Sequence, residues 1–318
     1  MTGRPDRRSG VGPVSGTALA RRRAGARRRA QIRRRRAVAL LAATIALIAI
    51  VLIASGGGGA SRARQQATSA ATGHAVSSRA RRARATHAQL DRENAAIDRL
   101  LARQPFITAG GSERREIALT FDDGPGPYTP GVLDQLQRLH APATFFEVGF
   151  MIHYFYDSLE RQVRTGAVIG DHTEQHPMMA RLTASDQNNQ IVTQTQQLHR
   201  YGAPYPRLYR PPYGSFNAAT FAILHRLHML MVLWSVDTDD YLRPGASTIV
   251  ARALAGAKPG AIILMHDAGG ERSQTIAALP PLVHALRARG YKLVTIPQLV
   301  LDDPPEGHQP TPTSLAGD

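Results

Sequence analysis

Short apolar runs alternate with longer segments of helical spacing between residues 116 and 296. Seven apolar runs bounded by turn residues predict strands at Glu116–Phe121, Ala143–Val148, Ala167–Gly170, Leu208–Tyr209, Met229–Trp234, Ala261–Met265 and Lys292–Ile296. Apolar residues three and four positions apart predict the intervening helices, at Pro130–Leu139, Ser185–Tyr201, Ala218–Leu227, Thr248–Ala257 and Ser273–Arg289. This alternation predicts an α/β fold of parallel strands, either closed like a barrel or left open as a doubly wound sheet.

A different pattern precedes these elements, because residues Ala37–Ala54 form one continuous apolar run without a charge. At about 1.5 Å per residue the run would extend about 27 Å as a helix, close to the thickness of a bilayer core. Thirteen arginines lie in the first 36 residues, and Ser-Gly-Gly-Gly-Gly follows the run. We therefore expect one transmembrane helix, with the N-terminus cytoplasmic and the rest of the chain outside the cell membrane.

The favoured interpretation of this segment is an uncleaved signal anchor, since the run is longer than the apolar region of most signal peptides. A cleaved signal peptide, which would leave a secreted protein, is the main alternative. A buried core helix fits poorly beside so many arginines. An arginine-rich arm for nucleic acid is the last interpretation, but membrane topology and anionic lipid explain the arginines more simply.

Composition divides the chain into five predicted segments. Residues 1–36 are a basic cytoplasmic segment and residues 37–54 the transmembrane helix. Residues 55–105 are a flexible linker rich in Gly, Ala, Ser and Arg, with a short stalk helix from about Arg84 to Arg103. Residues 106–302 form the globular domain, and residues 303–318 are a Pro-rich tail expected to be disordered.

The net charge of +15 belongs to the N-terminal part of the chain rather than to the globular domain. Twenty-two arginines and four acidic residues lie in the first 105 residues, whereas 17 basic and 20 acidic residues follow. The globular domain is thus nearly neutral, which argues against nucleic acid as its partner. The chain has no cysteine, so disulfides and thiolate metal sites are excluded.

Most chemically active side chains come directly after a predicted strand. They are Asp122 and Asp123 after the first strand, His172 and His176 after the third, Arg210 and Tyr213 after the fourth, Asp237 and Asp240 after the fifth, and His266 after the sixth. In a parallel barrel these strand ends meet at one rim, where active sites form. The sequence therefore predicts one catalytic rim.

Two histidines four positions apart, joined by a carboxylate, match the open three-ligand sites that zinc prefers. Such a pair is by itself more often incidental than metal-binding. The adjacent aspartates have two interpretations, since an exposed turn or helix cap would explain them as well as catalysis. In the catalytic interpretation one aspartate binds the metal and the other removes a proton from water, with Arg210 holding that base ionised. Taken alone, Arg210 would be a surface ion pair and His266 a core histidine.

Five segments together resemble the motifs of the polysaccharide deacetylase family, carbohydrate esterase family four. They read, in order, "TFDDGP", "HTEQHP", "RPPYGSFN", "WSVDTDDY" and "ILMHD", and the resemblance extends from about Glu113 to Leu301. It implies a distorted (β/α)7 barrel that removes acetyl from N-acetylated polysaccharide with one divalent metal. Zinc is the expected ion, with cobalt or another divalent cation as alternatives.

The resemblance also implies a role for each matching residue. The metal ligands are Asp123, His172 and His176; the catalytic residues are Asp122 as base, Arg210 as its brace, His266 as general acid and Asp240 as the partner of His266. The substrate-binding residues are Tyr213, Pro212, Tyr241 and Leu264. A backbone N–H near Tyr213 stabilises the oxyanion, and Tyr241 and Leu264 line the pocket for the acetyl methyl group.

Three features depart from the family pattern. Asp171 replaces the usual Asn before His172, which we expect to add charge near the metal. Tyr241 stands where Trp is usual, so a more polar acetyl pocket is expected, and the segment "MIHYFYDSLERQVRTGA" is unusual beside the second motif. The favoured substrate is peptidoglycan N-acetylglucosamine; chitin-like oligomers, exopolysaccharide or acetylated xylan, and an inactive glycan-binding module, are the alternatives.

Overall fold

All seven predicted strands are confirmed, and two short strands join them. The computed structural model describes residues 87–307 and residue 309. Within these residues the strands are β1 (Phe106–Ile107), β2 (Glu116–Gly124), β3 (Thr144–Glu147), β4 (Val168–Asp171), β5 (Leu208–Tyr209), β6 (Leu230–Val232), β7 (Val236–Asp237), β8 (Ile262–His266) and β9 (Lys292–Val294). β1 and β7 have two residues each, too few for apolar periodicity to indicate them.

The strands form one sheet in the order β1-β6-β5-β4-β3-β2-β8-β7, with β9 paired to the start of β2. Each of these pairings is parallel. From β2 to β6 each strand lies beside its neighbour in the sequence, as in a barrel and unlike a doubly wound sheet, whose strand order reverses. The pairings do not join β1 to β7. The architecture is a curled, open α/β sheet of the kind expected for a distorted (β/α)7 barrel.

Nine α-helices lie among the described residues. α1 is helical from residue 87 to residue 101, and the others are α2 (Thr129–Arg138), α3 (Gly149–Ile152), α4 (Tyr156–Thr165), α5 (Ala184–Arg200), α6 (Ala218–Arg226), α7 (Ala246–Ala255), α8 (Ser273–Ala288) and α9 (Ile296–Asp302). The residues at the helix ends explain where two of these helices begin or end. Asn217 caps α6 by accepting from the N–H groups of Ala219 and Thr220, and Gly166 ends α4 with a φ of 80°.

Side chains on the strands alternate between two apolar cores. In β2, Ile117, Leu119 and Phe121 face the helices that cover the outside of the sheet. Ala118 belongs to the second core, on the other face. Because strand side chains alternate with a period of two, Asp122 lies on the same face as Ala118. The strand thus carries a carboxylate to the concave side of the sheet.

The predicted stalk helix packs into the domain instead of standing apart from it. Ile97 and Leu100 of α1 are buried in the second core with residues of β6 and α9. The helix has an apolar face, and docking on the sheet removes that face from water. The packed unit therefore begins before residue 106, the boundary that composition predicts.

The start of the predicted disordered tail is also packed. Asp303 is buried, and its Oδ2 accepts a hydrogen bond of 2.6 Å from the backbone N–H of Arg114. The side chain of Gln309 bonds to the backbone of Thr108 and Ala109. Polar bonds to a neighbouring loop hold this segment in place, a contact that its Pro-rich composition does not reveal.

The predictions for residues 1–86, which include the apolar run at 37–54, lie outside the described residues. The same holds for residue 308 and for residues 310–318. Among the residues that the structure describes, no helix has the length and hydropathy needed to cross a membrane.

Candidate active site

A bulge at the end of β2 separates the two adjacent aspartates. The pairing of β2 with β3 shifts register between Asp122 and Gly124, and Asp123 takes a φ of 73° at that point. Asp is among the few residues that adopt this left-handed conformation readily. Asp122 continues the regular strand opposite His266 of β8. The two carboxylates consequently reach different partners.

Asp123 faces the two predicted histidine ligands. Its Oδ1 lies 3.1 Å from Nε2 of His176 and 3.7 Å from Nε2 of His172. His172 uses its other nitrogen, Nδ1, on the carbonyl oxygen of Arg210 at 2.7 Å. A carbonyl only accepts hydrogen bonds, so Nδ1 carries the proton and Nε2 presents a lone pair toward Asp123. Burial holds the pKa of His172 well below its usual value, which keeps the ring neutral.

These three residues fit a divalent metal. Their donor atoms lie within 4.8 Å of one another. Asp123 Oδ1 is buried and has no hydrogen-bond partner among the described residues. Burial alone would raise the pKa of Asp123, but the histidines lower it below its usual range. An ionised oxygen and the lone pairs of two imidazoles are the donor set that zinc prefers, and a cation would relieve their mutual repulsion.

Asp122 pairs with Arg210 behind this ligand set. Nη1 of Arg210 lies 2.7 Å from Asp122 Oδ1 and donates a second bond of 2.9 Å to Thr120. The other donors of this fully buried guanidinium go to the carbonyl oxygens of Val232 and Leu233. Burial raises the pKa of Asp122, and the charge of Arg210 opposes the rise without cancelling it. A raised pKa makes this carboxylate a better proton acceptor near neutral pH.

His266 and Asp240 form the second predicted catalytic pair. Nδ1 of His266 lies 2.7 Å from Asp240 Oδ1, while Asp240 Oδ2 accepts from the backbone N–H of His266 at 2.8 Å and from the Thr275 hydroxyl at 2.7 Å. Burial alone would lower the pKa of His266, but the charge and hydrogen bond of Asp240 raise it to about 9. The structure thus favours an imidazolium at neutral pH, the form that a general acid requires.

One cavity of about 340 Å³ is lined by the three ligand residues together with Asp122 and His266. Of the four predicted substrate-binding residues, Tyr213, Tyr241 and Leu264 line this cavity. Pro212 does not: it is buried in the turn, and the preceding Pro211 lines the cavity in its place. Tyr213 has a φ of 59°, another left-handed residue beside the site. Its hydroxyl lies 3.1 Å from Nδ1 of His176, which orients that ring.

The hydrogen bonds of the Asp171 side chain go to two threonines and to neither histidine side chain. Its Oδ1 accepts from the backbone N–H of Thr173 and its Oδ2 from the hydroxyl of Thr195, both at 2.9 Å. Burial raises the pKa of Asp171 well above its usual value. The carboxyl group therefore secures the backbone that leads to the histidines. Burial thus disfavours the negative charge on Asp171 that the sequence led us to expect near the metal.

A second pair of acids lies behind the site and was not predicted. Glu147 ends β3 and Asp267 follows β8, and both side chains are fully buried. A Cβ atom placed on Gly124 would lie 2.8 Å from carboxylate oxygens of both residues. Gln162 and Thr129, on helices α4 and α2, donate hydrogen bonds to the pair. Buried polar residues on those helix faces are the sequence signal that could have indicated it.

Burial dominates the electrostatics of this pair. It raises the pKa of Glu147 well above its usual value, and the charge of Asp267 adds to the rise. Burial also raises the pKa of Asp267 to about 7. One oxygen of each carboxyl group, Glu147 Oε2 and Asp267 Oδ1, lacks a hydrogen-bond partner among the described residues. At neutral pH the pair favours holding a proton over carrying two charges.

Three further cavity-lining residues were not predicted as site residues. Trp234 packs over the guanidinium of Arg210, with 5.7 Å between Arg210 Cζ and the ring centroid. Phe150, directly before the segment that is unusual beside the second motif, forms part of the cavity rim and is half-exposed. Arg272 lies on the loop after β8. The sequence carries no spacing signal for these residues, because their position depends on loop conformation.

Comparison with known proteins gives consistent matches. A family model described as "Polysaccharide deacetylase" matches residues 109–232. A chitooligosaccharide deacetylase of Bradyrhizobium sp. is 38% identical over 202 residues, which are 59% of this chain and 92% of that protein. A peptidoglycan-N-acetylglucosamine deacetylase of Bacillus cereus is 38% identical over 187 residues, 58% of this chain and 87% of that protein.

The similarity extends to solved structures. A peptidoglycan N-acetylglucosamine deacetylase in complex with 4-naphthalen-1-yl-N-oxidanyl-benzamide superposes with a TM-score of 0.60 at 34% sequence identity. The match covers 61% of this chain and 92% of that one. The similarity therefore includes the fold as well as the sequence.

Proposed function

This chain belongs to the polysaccharide deacetylase family, and we propose that it removes acetyl groups from peptidoglycan N-acetylglucosamine with the help of one divalent metal. As a member of the family it is a hydrolase of non-peptide carbon–nitrogen bonds. The observation that carries the finer proposal is the site itself. A three-ligand set, a carboxylate paired with arginine and a histidine paired with carboxylate all open into one cavity.

Asp123, His172 and His176 would hold the metal, which we take to be zinc. When bound, such an ion supplies Lewis acidity that polarises the acetyl carbonyl and acidifies water. His172 is fixed for this task by the carbonyl of Arg210, and His176 by the hydroxyl of Tyr213. Two imidazoles and one carboxylate would leave room on the metal for water and substrate.

Asp122 acts as the general base in this proposal. Its Oδ1 is tied to Arg210, which leaves Oδ2 to take the proton of the attacking water. Oδ2 lies 3.7 Å from Nε2 of His172, so the base is directly beside the ligand set. Arg210 holds Asp122 in one orientation, since each of its three nitrogens donates to a fixed group.

His266 acts as the general acid. An amine leaves poorly unless it is protonated, and the imidazolium favoured by Asp240 is the available proton donor. Nδ1 of His266 is occupied by Asp240, so the proton is delivered from Nε2. Charge on the carbonyl oxygen would meet the backbone N–H of Tyr213, which donates to no backbone group in the described residues.

Leu264, Trp234 and Tyr241 form the apolar part of the cavity that would receive the acetyl methyl group. The Tyr241 ring lies 5.5 Å from the His266 ring, edge to face. This contact places the methyl pocket beside the general acid. Tyr241 also brings a hydroxyl group, so the pocket is more polar than one closed by Trp.

A chitooligosaccharide is the second candidate substrate, because the relative from Bradyrhizobium sp. carries that activity in its name. Full-length protein reconstituted with zinc should release acetate from peptidoglycan and from N-acetylglucosamine oligomers. A chelator should abolish the release, and added metal should restore it. Tight glycan binding without turnover under any metal would instead indicate an inactive binding module.

We also propose that the catalytic domain works outside the cell, tethered by residues 37–54. The apolar run and the arginines before it support this location. Protease added to intact cells should digest the domain while leaving the N-terminal segment protected. Recovery of the domain in the culture medium would indicate a cleaved signal peptide.

A further inference from the structure

Arg272 lines the catalytic cavity without an acidic partner. It lies on the loop between β8 and α8, and its side chain is only 4% exposed. None of the ion pairs among the described residues includes it. This contrasts with Arg210, the other buried arginine of the site, whose charge is matched by Asp122 at 2.7 Å.

Neutral backbone groups hold the guanidinium of Arg272 in place. Its Nε donates to the carbonyl of Ala268 at 2.7 Å and its Nη1 to the carbonyl of Glu271 at 3.0 Å. The carboxylate of Glu271 turns away and accepts from the backbone N–H of Ser273. The guanidinium is therefore oriented without being neutralised. A buried charge in that condition is unfavourable until an anion reaches it.

The remaining nitrogen, Nη2, is available to a ligand. Within the described residues it donates to no protein group, and it is not among the fully buried atoms that lack a partner. It therefore keeps contact with solvent, and the residue borders the cavity. A guanidinium with an open edge is suited to a carboxylate, which it binds with charge-assisted hydrogen bonds.

The loop places this group close to the reaction centre. A Cβ atom on Gly269 would lie 2.1 Å from Asp123 Oδ2, and one on Gly270 would lie 3.4 Å from Nη2 of Arg272. Gly269 and Gly270 are neighbours, so these two distances can be joined through one Cα–Cα step and two Cα–Cβ bonds. Their sum places Nη2 of Arg272 at most about 12 Å from the Asp123 carboxylate. That distance suits a substituent on the sugar next to the one that loses its acetyl group.

The acids of the site cannot supply the missing anion. Asp122 is committed to Arg210 and Asp240 to His266. Asp123 faces the two histidines. We propose that Arg272 binds a carboxylate carried by the substrate glycan, so that the enzyme selects anionic N-acetylated glycans over neutral ones. This inference rests on the proposed deacetylase function and narrows its substrate class.

Two kinds of sugar carry the required group: uronic acids, and muramic acid whose lactyl group bears no peptide. Where a stem peptide is attached, the lactyl carboxyl group is an amide and carries no charge. Four N-acetylated tetrasaccharides separate the cases: one containing muramic acid, the same compound with its carboxylate amidated, one containing a uronic acid, and neutral chitotetraose. Binding is measured by calorimetry, and kcat/KM by acetate release, with full-length protein. Binding keeps the test informative even if the protein releases no acetate from any glycan, a result that would refute the proposed function separately.

Wild-type protein should bind the free carboxylate about 10- to 100-fold more tightly than its amide, the range expected for a charge-assisted bond. Arg272→Met should abolish that preference by weakening binding of the free carboxylate to the level of its amide, and Arg272→Lys should keep part of it. Arg164→Met removes an exposed arginine that does not line the cavity. It should change neither the preference for the free carboxylate nor kcat/KM. Comparing the tetrasaccharide that contains muramic acid with the one that contains a uronic acid shows which anionic sugar the loop binds.

Equal wild-type affinity for the free and amidated compounds would overturn the inference without any variant. So would an Arg272→Met protein that loses activity on neutral and anionic substrates equally, since that result shows a purely structural role for the arginine. Thermal unfolding of each variant accompanies the assays. If Arg272→Met does not fold, the wild-type comparison and Arg272→Lys still decide the question.

Discussion

Replacing Asp240 by Asn should move the basic limb of the pH–activity profile to lower pH. Asp240 contacts Nδ1 of His266 at 2.7 Å and also accepts the backbone N–H of His266 and the hydroxyl of Thr275. An asparagine can keep its oxygen on the two latter donors. Its NH2 group then faces Nδ1, which must become an acceptor, and the negative charge that stabilises the imidazolium is gone.

The size of the effect follows from the pKa of His266, about 9 in the structure against the ordinary 6.5. This difference corresponds to about 3 kcal/mol in favour of the protonated ring. At pH 8 about nine-tenths of the rings carry the catalytic proton when the pKa is 9, and about 3% when it falls to 6.5. We therefore expect Asp240→Asn to lose about 30-fold in kcat/KM at pH 8 and much less at pH 6.

The assay is acetate release between pH 6 and pH 10, with kcat/KM determined at each pH. A bound divalent cation lowers the pKa of His266 in both proteins, so the displacement between the two profiles is the quantity to compare. Asp239→Asn is the matched control, because Asp239 is the adjacent acid but pairs with Arg252. An NMR titration of His266 reports its pKa independently of turnover.

Two results would refute this reasoning. If the basic limb of Asp240→Asn coincides with that of the wild type, His266 is not the acid that this limb reports. If activity falls by the same factor at every pH, Asp240 acts on position and not on the pKa of His266. A normal unfolding temperature for the variant makes either result decisive.

Four further variants test the site and its support. Asp123→Ala should release the metal in equilibrium dialysis, whereas Asp122→Asn should retain it and lose at least about 100-fold in kcat; metal loss from both would show that the two aspartates share one role. Because the folded-state pKa of Asp267 is about 7, above its unfolded value of 3.8, this group stabilises the fold at low pH and loses that contribution as the pH rises to 7. Glu147→Gln removes the other buried carboxyl group, whose raised pKa adds to the same loss, so the fall in unfolding temperature between pH 5 and pH 8 should be smaller than in the wild type; an unchanged fall would show that Glu147 does not contribute to it. Leu100→Ala should lower the free energy of unfolding by about 2–4 kcal/mol in urea titrations, because this side chain of α1 is fully buried, whereas a stalk residue would change it little.

Apolar periodicity and turn residues were sufficient for the seven principal strands and five helices. They failed where an element is very short, as with β1, β7 and α3, or where polar residues interrupt the pattern, as with α4. Composition was also a poor guide to the domain edges. Residues 87–101 have many charges, yet Ile97 and Leu100 are enough to fix the helix against the core.

The sequence by itself determined which side chains gather at the rim. Strand ends of a parallel sheet meet at one edge, so the order of polar residues after each apolar run carries that information. Only the tertiary structure decided which chemical role each of these residues takes. A bulge turns Asp123 toward the histidines while Asp122 stays in register with His266, and neither distance nor burial can be read from adjacent letters. The same limit applies to Glu147 with Asp267 and to the unpaired Arg272, because charge compensation depends on neighbours that are distant along the chain.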